Sequence, residues 1–325
     1  MCYTFAVMSG NRKTAIKKLK NLVLSPKQDI EDFRKHVEEN FATVFLPNNV
    51  HREELKFGTT ESDVFVPELS SADKIILYIH GGSFAGGSSS SYCNFCSLIA
   101  NSIACRVIFP KFRLPPTYSF PASIDDVTLV FRSLLLAERK NIILAADGSG
   151  ASIAIALLFK LSAEERHNIS HLVLFSPWLD FTSDCELIKN RKLHDEILSG
   201  ANLHRAVDLY TYAANFANPF VSPLQAADDD FFMFPPVYMQ LGEKEILIQQ
   251  ARQFEEKLKR AGVPVEVDVW KNMMFMFQMA NDCFTESHLA LQKLAAYINK
   301  RDEVIDIDMI EERNRILRKN DIQVD

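Results

Sequence analysis

The chain has 325 residues, 47% hydrophobic and 24% charged, with 36 basic side chains against 42 acidic ones and a net charge of −6. That composition excludes a disordered chain, a collagen-like repeat and a small disulfide scaffold, and its acidic balance offers nucleic acid no basic surface. No apolar run reaches the roughly 18 residues needed to span a bilayer. The first residues, MCYTFAVMSGNRK, place a short apolar stretch before their positive charges, the reverse of a secretory signal. The six cysteines, at positions 2, 93, 96, 105, 185 and 283, therefore read as reduced thiols of a cytoplasmic protein.

In chain order, residues 1–50 read as helical. Positions 11–22 set Ile16, Leu19 and Leu22 among lysines, Ser25-Pro26 breaks the pattern, and a second helix is expected over 27–43. Strands then alternate with helices. Strand-like runs cover 51–57, 62–66, 74–79, 105–110, 140–145, 170–175, 236–241 and 264–270, and helical runs cover 92–103, 121–137, 149–162, 247–261 and 284–299. Several strands are continuously apolar, as expected when helices cover both faces. The alternation predicts an α/β fold, a mostly parallel central sheet of about eight strands flanked by helices. Residues 183–232 break the rhythm with two helical patches and no clear strand. An insertion there stands above the strand ends, where ligands of such sheets bind. The expected organisation is a helical cap from residues 1–50, a core over 51–300 with a cap insertion at about 183–232, and a charged tail over 301–325. In that tail Ile305, Ile307, Ile310, Ile316 and Leu317 give some helical periodicity, which fits a peripheral helix or a partner-binding segment.

Strand 74–79 runs into His80-Gly81-Gly82-Ser83-Phe84. A His-Gly-Gly loop lets backbone approach a ligand closely and present N–H groups to an oxyanion. It is followed by an Arg113–Asp126 block, by Ser176-Pro177-Trp178-Leu179-Asp180, by Ser222-Pro223-Leu224 and by Leu241-Gly242-Glu243-Lys244-Glu245. In this order, from about residue 74 to 278, the chain resembles the hormone-sensitive-lipase-like family of α/β hydrolases, the bacterial family IV carboxylesterases. The resemblance implies an α/β-hydrolase fold and ester hydrolysis without metal or cofactor, by a serine on a sharp strand-to-helix turn, a histidine base and an orienting acid.

The family's nucleophile turn, Gly-Asp-Ser-Ala-Gly-Gly, is matched here by Ala146-Asp147-Gly148-Ser149-Gly150-Ala151. In register, Asp147 and Gly150 agree and the nucleophile position holds Gly148, which has no side chain. Ser149 would supply the second oxyanion N–H beside the His80, Gly81, Gly82 and Ser83 loop, and its hydroxyl is expected to cap the helix. A nucleophilic Ser149 needs a one-residue slip that turns the helix by about 100°. The family's base sits in a loop resembling Tyr-Pro-Gly-Met-Pro-His-Gly-Phe, and residues 270–277 here read Trp-Lys-Asn-Met-Met-Phe-Met-Phe, which puts Phe275 at the histidine. The eight histidines (36, 51, 80, 167, 171, 194, 204 and 288) all lie elsewhere. His80 reads as structural, His288 as exposed, and His194 and His204 as solvated cap residues. Glu245 takes the acid position and, with no histidine there, is expected to be a surface charge or to pair with a nearby base. Met273, Met274, Met276 and Phe277 should leave the site around Phe275 apolar and filled.

The reading that follows is an esterase-like pseudoenzyme that keeps the oxyanion loop and binds a small acyl or carboxylate ligand, or a protein partner. Plant gibberellin receptors resemble the same esterases and bind a small acid. The alternatives are an ester hydrolase using Ser149, and a purely structural protein whose pocket has collapsed around Phe275. The Cys93/Cys96 spacing and the run Asp228-Asp229-Asp230 read as packed thiols and a solvated loop rather than metal sites.

Overall fold

The computed structural model describes residues 12–42, 46, 49–137, 141–182 and 195–300. The sequence expectations for His194, for 183–194 and for the 301–325 tail lie outside these residues.

Two helices open the described chain. Helix α1 (12–19) continues into a 3-10 turn over Lys20–Leu22, and α2 (Ile30–Phe41) starts where Asp29 accepts the N–H groups of Glu31 and Asp32 at 2.8 and 3.3 Å. Strands β1 (Val50–Phe57) and β2 (Thr60–Pro67) form a hairpin. Six further strands follow: β3 (Lys74–Ile79), β4 (Arg106–Pro110), β5 (Asn141–Asp147), β6 (Ile169–Phe175), β7 (Val237–Gly242) and β8 (Val265–Trp270). The sheet order is β1-β2-β4-β3-β5-β6-β7-β8. Strand β2 runs antiparallel to both its neighbours, and the strands from β4 to β8 are all parallel. Each expected strand is present with ends within two residues.

The shifts have local causes. Strand β5 runs on to Asp147 because that carboxylate is buried and hydrogen-bonded, whereas a hydropathy pattern ends at the last apolar residue. Helix α5 (Gly150–Lys160) stops short of 162 because Ser162 forms a capping box with Glu165 that starts the short α6 (Ala163–Arg166). The central strands are buried on both faces under α3 (Cys93–Ile103), α4 (Ala122–Ala137), α5, α8 (Ile248–Arg260) and α9 (285–300). Edge strand β1 exposes six consecutive residues, HREELK, whose charges discourage pairing with another sheet.

Helix α7 (Gly200–Tyr210) and the N-terminal segment meet above the His-Gly-Gly loop. Leu24 donates its N–H to Ser83 Oγ at 3.0 Å and accepts from Asn202 Nδ2 at 2.9 Å. Arg34 reaches the carbonyls of Ala85 and Pro115, both at 2.9 Å. Leu24, Phe33 and Val37 form a small apolar cluster of their own with Leu209 packed against it.

One close approach sets where α5 stands. A Cβ on Gly150 would lie 2.3 Å from the Ile79 carbonyl oxygen and 2.5 Å from that of His80. The first turn of α5 therefore rests directly on the end of β3, and only glycine permits it. Gly150→Ala should cost about 3 kcal/mol or more in urea-induced unfolding. Gly262→Ala, where nothing stands within 4 Å and only the φ of +74° resists, should cost about 1 kcal/mol. Equal losses at the two positions would show that the β3–α5 contact imposes no such constraint.

Candidate functional site

The site lies at the C-terminal end of the parallel strands. Ile79 on β3 is paired with Ala146 on β5, so the next residues on each strand, His80 and Asp147, emerge side by side. The Asp147 carboxylate accepts from Tyr78 Oη at 2.8 Å, Gly81 N–H at 3.0 Å and Tyr92 Oη at 2.9 Å. Burial lifts its pKa from 3.8 to about 6, against the pull of those donors.

Beyond Asp147 the chain turns sharply through Gly148, at φ +47°, into α5. The turn is pinned by its backbone: Gly148 N–H donates to the Phe175 carbonyl at 3.0 Å, and the Gly148 carbonyl accepts from Trp178 N–H at 3.0 Å. A Cβ built on Gly148 would meet the Phe275 Cζ at 3.4 Å and Trp178 Nε1 at 3.7 Å. Positions 148 and 275, far apart in sequence, thus face each other across one atom's width. Met273, Met274, Phe275, Met276 and Phe277 are all buried, which gives the apolar, filled surroundings expected of this loop.

Two expectations at the site itself need correction. Ser149 does not cap α5: its hydroxyl, buried in the core, accepts the N–H of Phe84 at 2.9 Å. The loop offered a donor that the helix terminus would otherwise have supplied. Glu245 is neither a surface charge nor paired with a base. It is buried, and its Oε1 accepts from Gly242 N–H at 2.6 Å and Ser176 Oγ at 2.8 Å, while Oε2 has no partner among the described residues. Burial pushes its carboxyl well above the usual range, and the nearby Asp195 charge adds to the shift. Ser176 Oγ in turn accepts from Met276 N–H at 3.2 Å, which ties the acid to the Phe275 loop.

Within the His-Gly-Gly loop, Gly81 N–H goes to Asp147 and Phe84 N–H to Ser149. Among the described residues, the N–H groups of Gly82, Ser83 and Ser149 have no acceptor. Ser83 and Phe84 sit at φ +55° and +59°, strained values for residues with side chains. His80 is structural, as expected. Its ring stacks on Phe112 at 4.3 Å and Phe109 at 5.1 Å, and burial lowers its pKa from 6.5 to about 4. His204 is exposed beside Asp208, and His288 is half-buried on α9 rather than exposed. No imidazole hydrogen-bonds Ser149 among the described residues, and these hold no cluster of three potential metal ligands. Cys93 and Cys96 are free buried thiols, and Asp228 pairs with Arg260. Trp178, quoted in sequence only as part of a motif, proves to be a wall of the site. Its ring lies 6.2 Å from Phe275, and its buried Nε1 has no acceptor among the described residues.

The two titrating groups beside the loop work against each other. Between pH 6.5 and about 4 the unfolded chain protonates His80 while the native state refuses the proton, so that stability is present above 6.5 and lost as pH falls. Between 3.8 and about 6 the native state keeps a proton on Asp147 that the unfolded chain has released, so that stability is lost as pH rises. The slopes nearly offset. His80→Phe keeps the stack and removes one arm. Relative to the parent, this variant should gain about 2.5 kcal/mol in unfolding free energy between about pH 7 and about pH 4.5, read by urea titration. A gap that does not move with pH would mean that His80 titrates normally.

Comparison with known proteins agrees with this architecture. Residues 76–279 match the family described as the alpha/beta hydrolase fold. The chain is 34% identical over 236 residues to an esterase of Acinetobacter venetianus, covering 72% of this chain and 77% of that one. It is 29% identical to an acetyl-hydrolase of Streptomyces hygroscopicus, covering 69% and 75%. A crystal structure of an esterase from the bacterial hormone-sensitive lipase family superposes with a TM-score of 0.82 at 25% identity, over 90% of this chain and 98% of that one. With a family model matched over most of its length and an esterase relative 34% identical over 72% of it, the chain belongs to the α/β-hydrolase family, on its hormone-sensitive-lipase-like branch.

Proposed function

We propose that this esterase-type α/β hydrolase does not hydrolyse esters and that its retained oxyanion loop binds a small acyl or carboxylate ligand. The reading is carried by one contact: the space of a nucleophile side chain above Gly148 is met by the Phe275 ring at 3.4 Å. A carbonyl carbon brought there finds neither an attacking oxygen nor an imidazole to take its proton. In serine hydrolases the loss of nucleophile or base costs about six orders of magnitude in turnover. Ser149 does not replace the nucleophile in this reading, because its hydroxyl already accepts the Phe84 N–H and has no base beside it. Glu245 alone orients nothing.

The N-terminal segment, clipped by Leu24 to Ser83 and Asn202, serves with α7 as the cap over the site. The buried thiols Cys93 and Cys96 fit a reducing compartment.

Assays with p-nitrophenyl butyrate and a fluorophosphonate probe test the reading. The parent should show no turnover above buffer and no covalent label. Labelling that disappears in Ser149→Ala would overturn the proposal in favour of a relocated nucleophile.

The vacant positions also make a constructive test. Gly148→Ser together with Phe275→His places a hydroxyl on the turn, and a shorter ring opposite it relieves the contact. Glu245 Oε2, buried and without a partner among the described residues, is the acceptor proposed for the new imidazole. The double variant should hydrolyse p-nitrophenyl butyrate at least about tenfold faster than the parent, with Gly148→Ser alone well below it. A double variant that binds the ester and stays inert would show that the two positions are not the nucleophile and base.

A further inference from the structure

Four serines, at 88–91, lead from the His-Gly-Gly loop toward α3, and they are used unequally. Ser88 Oγ donates to Glu38 Oε1 at 2.7 Å and accepts the Ser90 N–H at 3.1 Å, and Ser91 Oγ accepts the Ser88 N–H at 2.9 Å. Ser89 is 8% exposed, yet its hydroxyl has no partner among the described residues. His80 presents a second idle group. Its Nδ1 lies 3.2 Å from the Gly81 carbonyl, which can only accept, so the ring proton sits on Nδ1 and Nε2 keeps its lone pair. The residue is 2% exposed, and Nε2 has no partner among the described residues. Burial, by lowering the pKa to about 4, keeps the ring neutral around neutral pH, so Nε2 acts as an acceptor.

Both residues line one cavity of about 320 Å³, between the His-Gly-Gly loop and the chain leaving β4, with Phe109, Phe112, Leu114 and Lys111 as its further walls. None of Gly148, Ser149, Trp178 and Phe275 lines it. The walls are held in place. A Cβ on Gly87 would lie 2.6 Å from His80 Nδ1, so the loop that carries Ser89 rests directly on the imidazole. Arg34 straps the two sides together through the Ala85 and Pro115 carbonyls. A cavity braced in this way binds without first having to order itself. Its charge is already balanced: Lys111 Nζ stands 3.1 Å from Glu54 and 3.4 Å from Asp63. An anion would meet those two carboxylates behind the lysine, and a cation would have to displace it.

Buried polar side chains are seldom left idle, and here an acceptor and a hydroxyl are idle in the same cavity, beside two phenyl rings. A ligand hydroxyl answers both, since it carries one donor and two lone pairs. Aromatic walls favour a ring as its body. We propose that this cavity is a ligand site in its own right and takes a small uncharged phenol, whose hydroxyl donates to His80 Nε2 and accepts from Ser89 Oγ while its ring packs on Phe112 and Leu114. The inference goes beyond the non-hydrolytic reading and does not depend on the chemistry at Gly148.

Isothermal titration of the intact protein with 4-methylphenol tests this, beside 4-methylanisole, which keeps the body and loses the donor, and 4-methylcyclohexanol, which keeps the hydroxyl and loses the aromatic ring. Ser89→Ala removes one partner, and His80→Phe removes the other while keeping the stack. The parent should bind the phenol at least about fivefold more tightly than the ether, and each substitution should weaken phenol binding at least about fivefold. The nitrogen resonance of His80 Nε2 should move when the phenol is added to the parent, a readout that needs no variant. A parent that does not bind the phenol overturns the inference, water alone then serving the two idle groups. Equal binding of the ether overturns it as well, as does phenol binding that either substitution leaves unchanged or that leaves Nε2 unmoved. Tighter binding of 4-methylcyclohexanol overturns the aromatic assignment.

Discussion

The Asp147 carboxylate is the constraint around which the site is arranged. It sits at the end of β5 and gathers two tyrosine hydroxyls and the Gly81 N–H. Burying a carboxylate is expensive unless its lone pairs are filled, and three donors from three segments fill them. The consequence is geometric. The His-Gly-Gly loop leaving β3 is tied to the turn leaving β5, and the aromatic rings that carry those hydroxyls extend the tie. Tyr78 stacks on Phe109 at 6.2 Å, Tyr92 tilts against His80 at 5.6 Å, and His80 stacks on Phe112 at 4.3 Å. None of these contacts touches a reacting atom, so the loop keeps its shape whatever residue stands at 148.

Strain marks the same region. Gly148 at φ +47° is joined by four residues with side chains in left-handed conformations: Ser83, Phe84, Ser176 and Met276, at φ +55°, +59°, +45° and +53°. Such residues persist where their surroundings over-determine them, and here the ties can be named. Ser83 is bonded to Leu24, Phe84 to Ser149, and Ser176 to both Glu245 and Met276. The strained geometry of this region is thereby held by packing and hydrogen bonds. The N–H groups of Gly82, Ser83 and Ser149 and the Trp178 indole are what this packing leaves unspent.

Legibility in the sequence divides along the same line. The eight strands and their order of appearance follow from apolar runs and glycine turns, which are local signals. The facing of Gly148 and Phe275 was also legible, because each occupies a fixed place in its own motif. What pattern could not supply was pairing between motifs. A lone glutamate after a strand reads as a surface charge, and its burial follows from a serine 69 positions away. A serine at a helix start reads as a cap, and its hydroxyl is instead taken by a loop 65 positions away. Trp178 reads as apolar bulk, and only its neighbours reveal an idle donor.

The residues at the three positions that the family resemblance singles out, 148, 275 and 245, follow from what else each side chain would bond. A nucleophilic serine hydroxyl serves its histidine and the substrate, and the histidine serves the serine and the acid. In the proposed non-hydrolytic reading neither side chain is needed by the fold, and glycine suits the positive φ at 148 while phenylalanine fills the core at 275. The acid differs. Glu245 closes the turn after β7 through the Gly242 N–H and holds Ser176, which holds Met276. Removing it would leave a buried N–H and a buried hydroxyl unpaired at about 1–3 kcal/mol each. The acid position thus retains its carboxyl for reasons of architecture, at the cost of one orphaned oxygen. The Glu245 carboxyl is thus accounted for by the hydrogen bonds it makes in the fold, whatever the chemistry at 148 and 275.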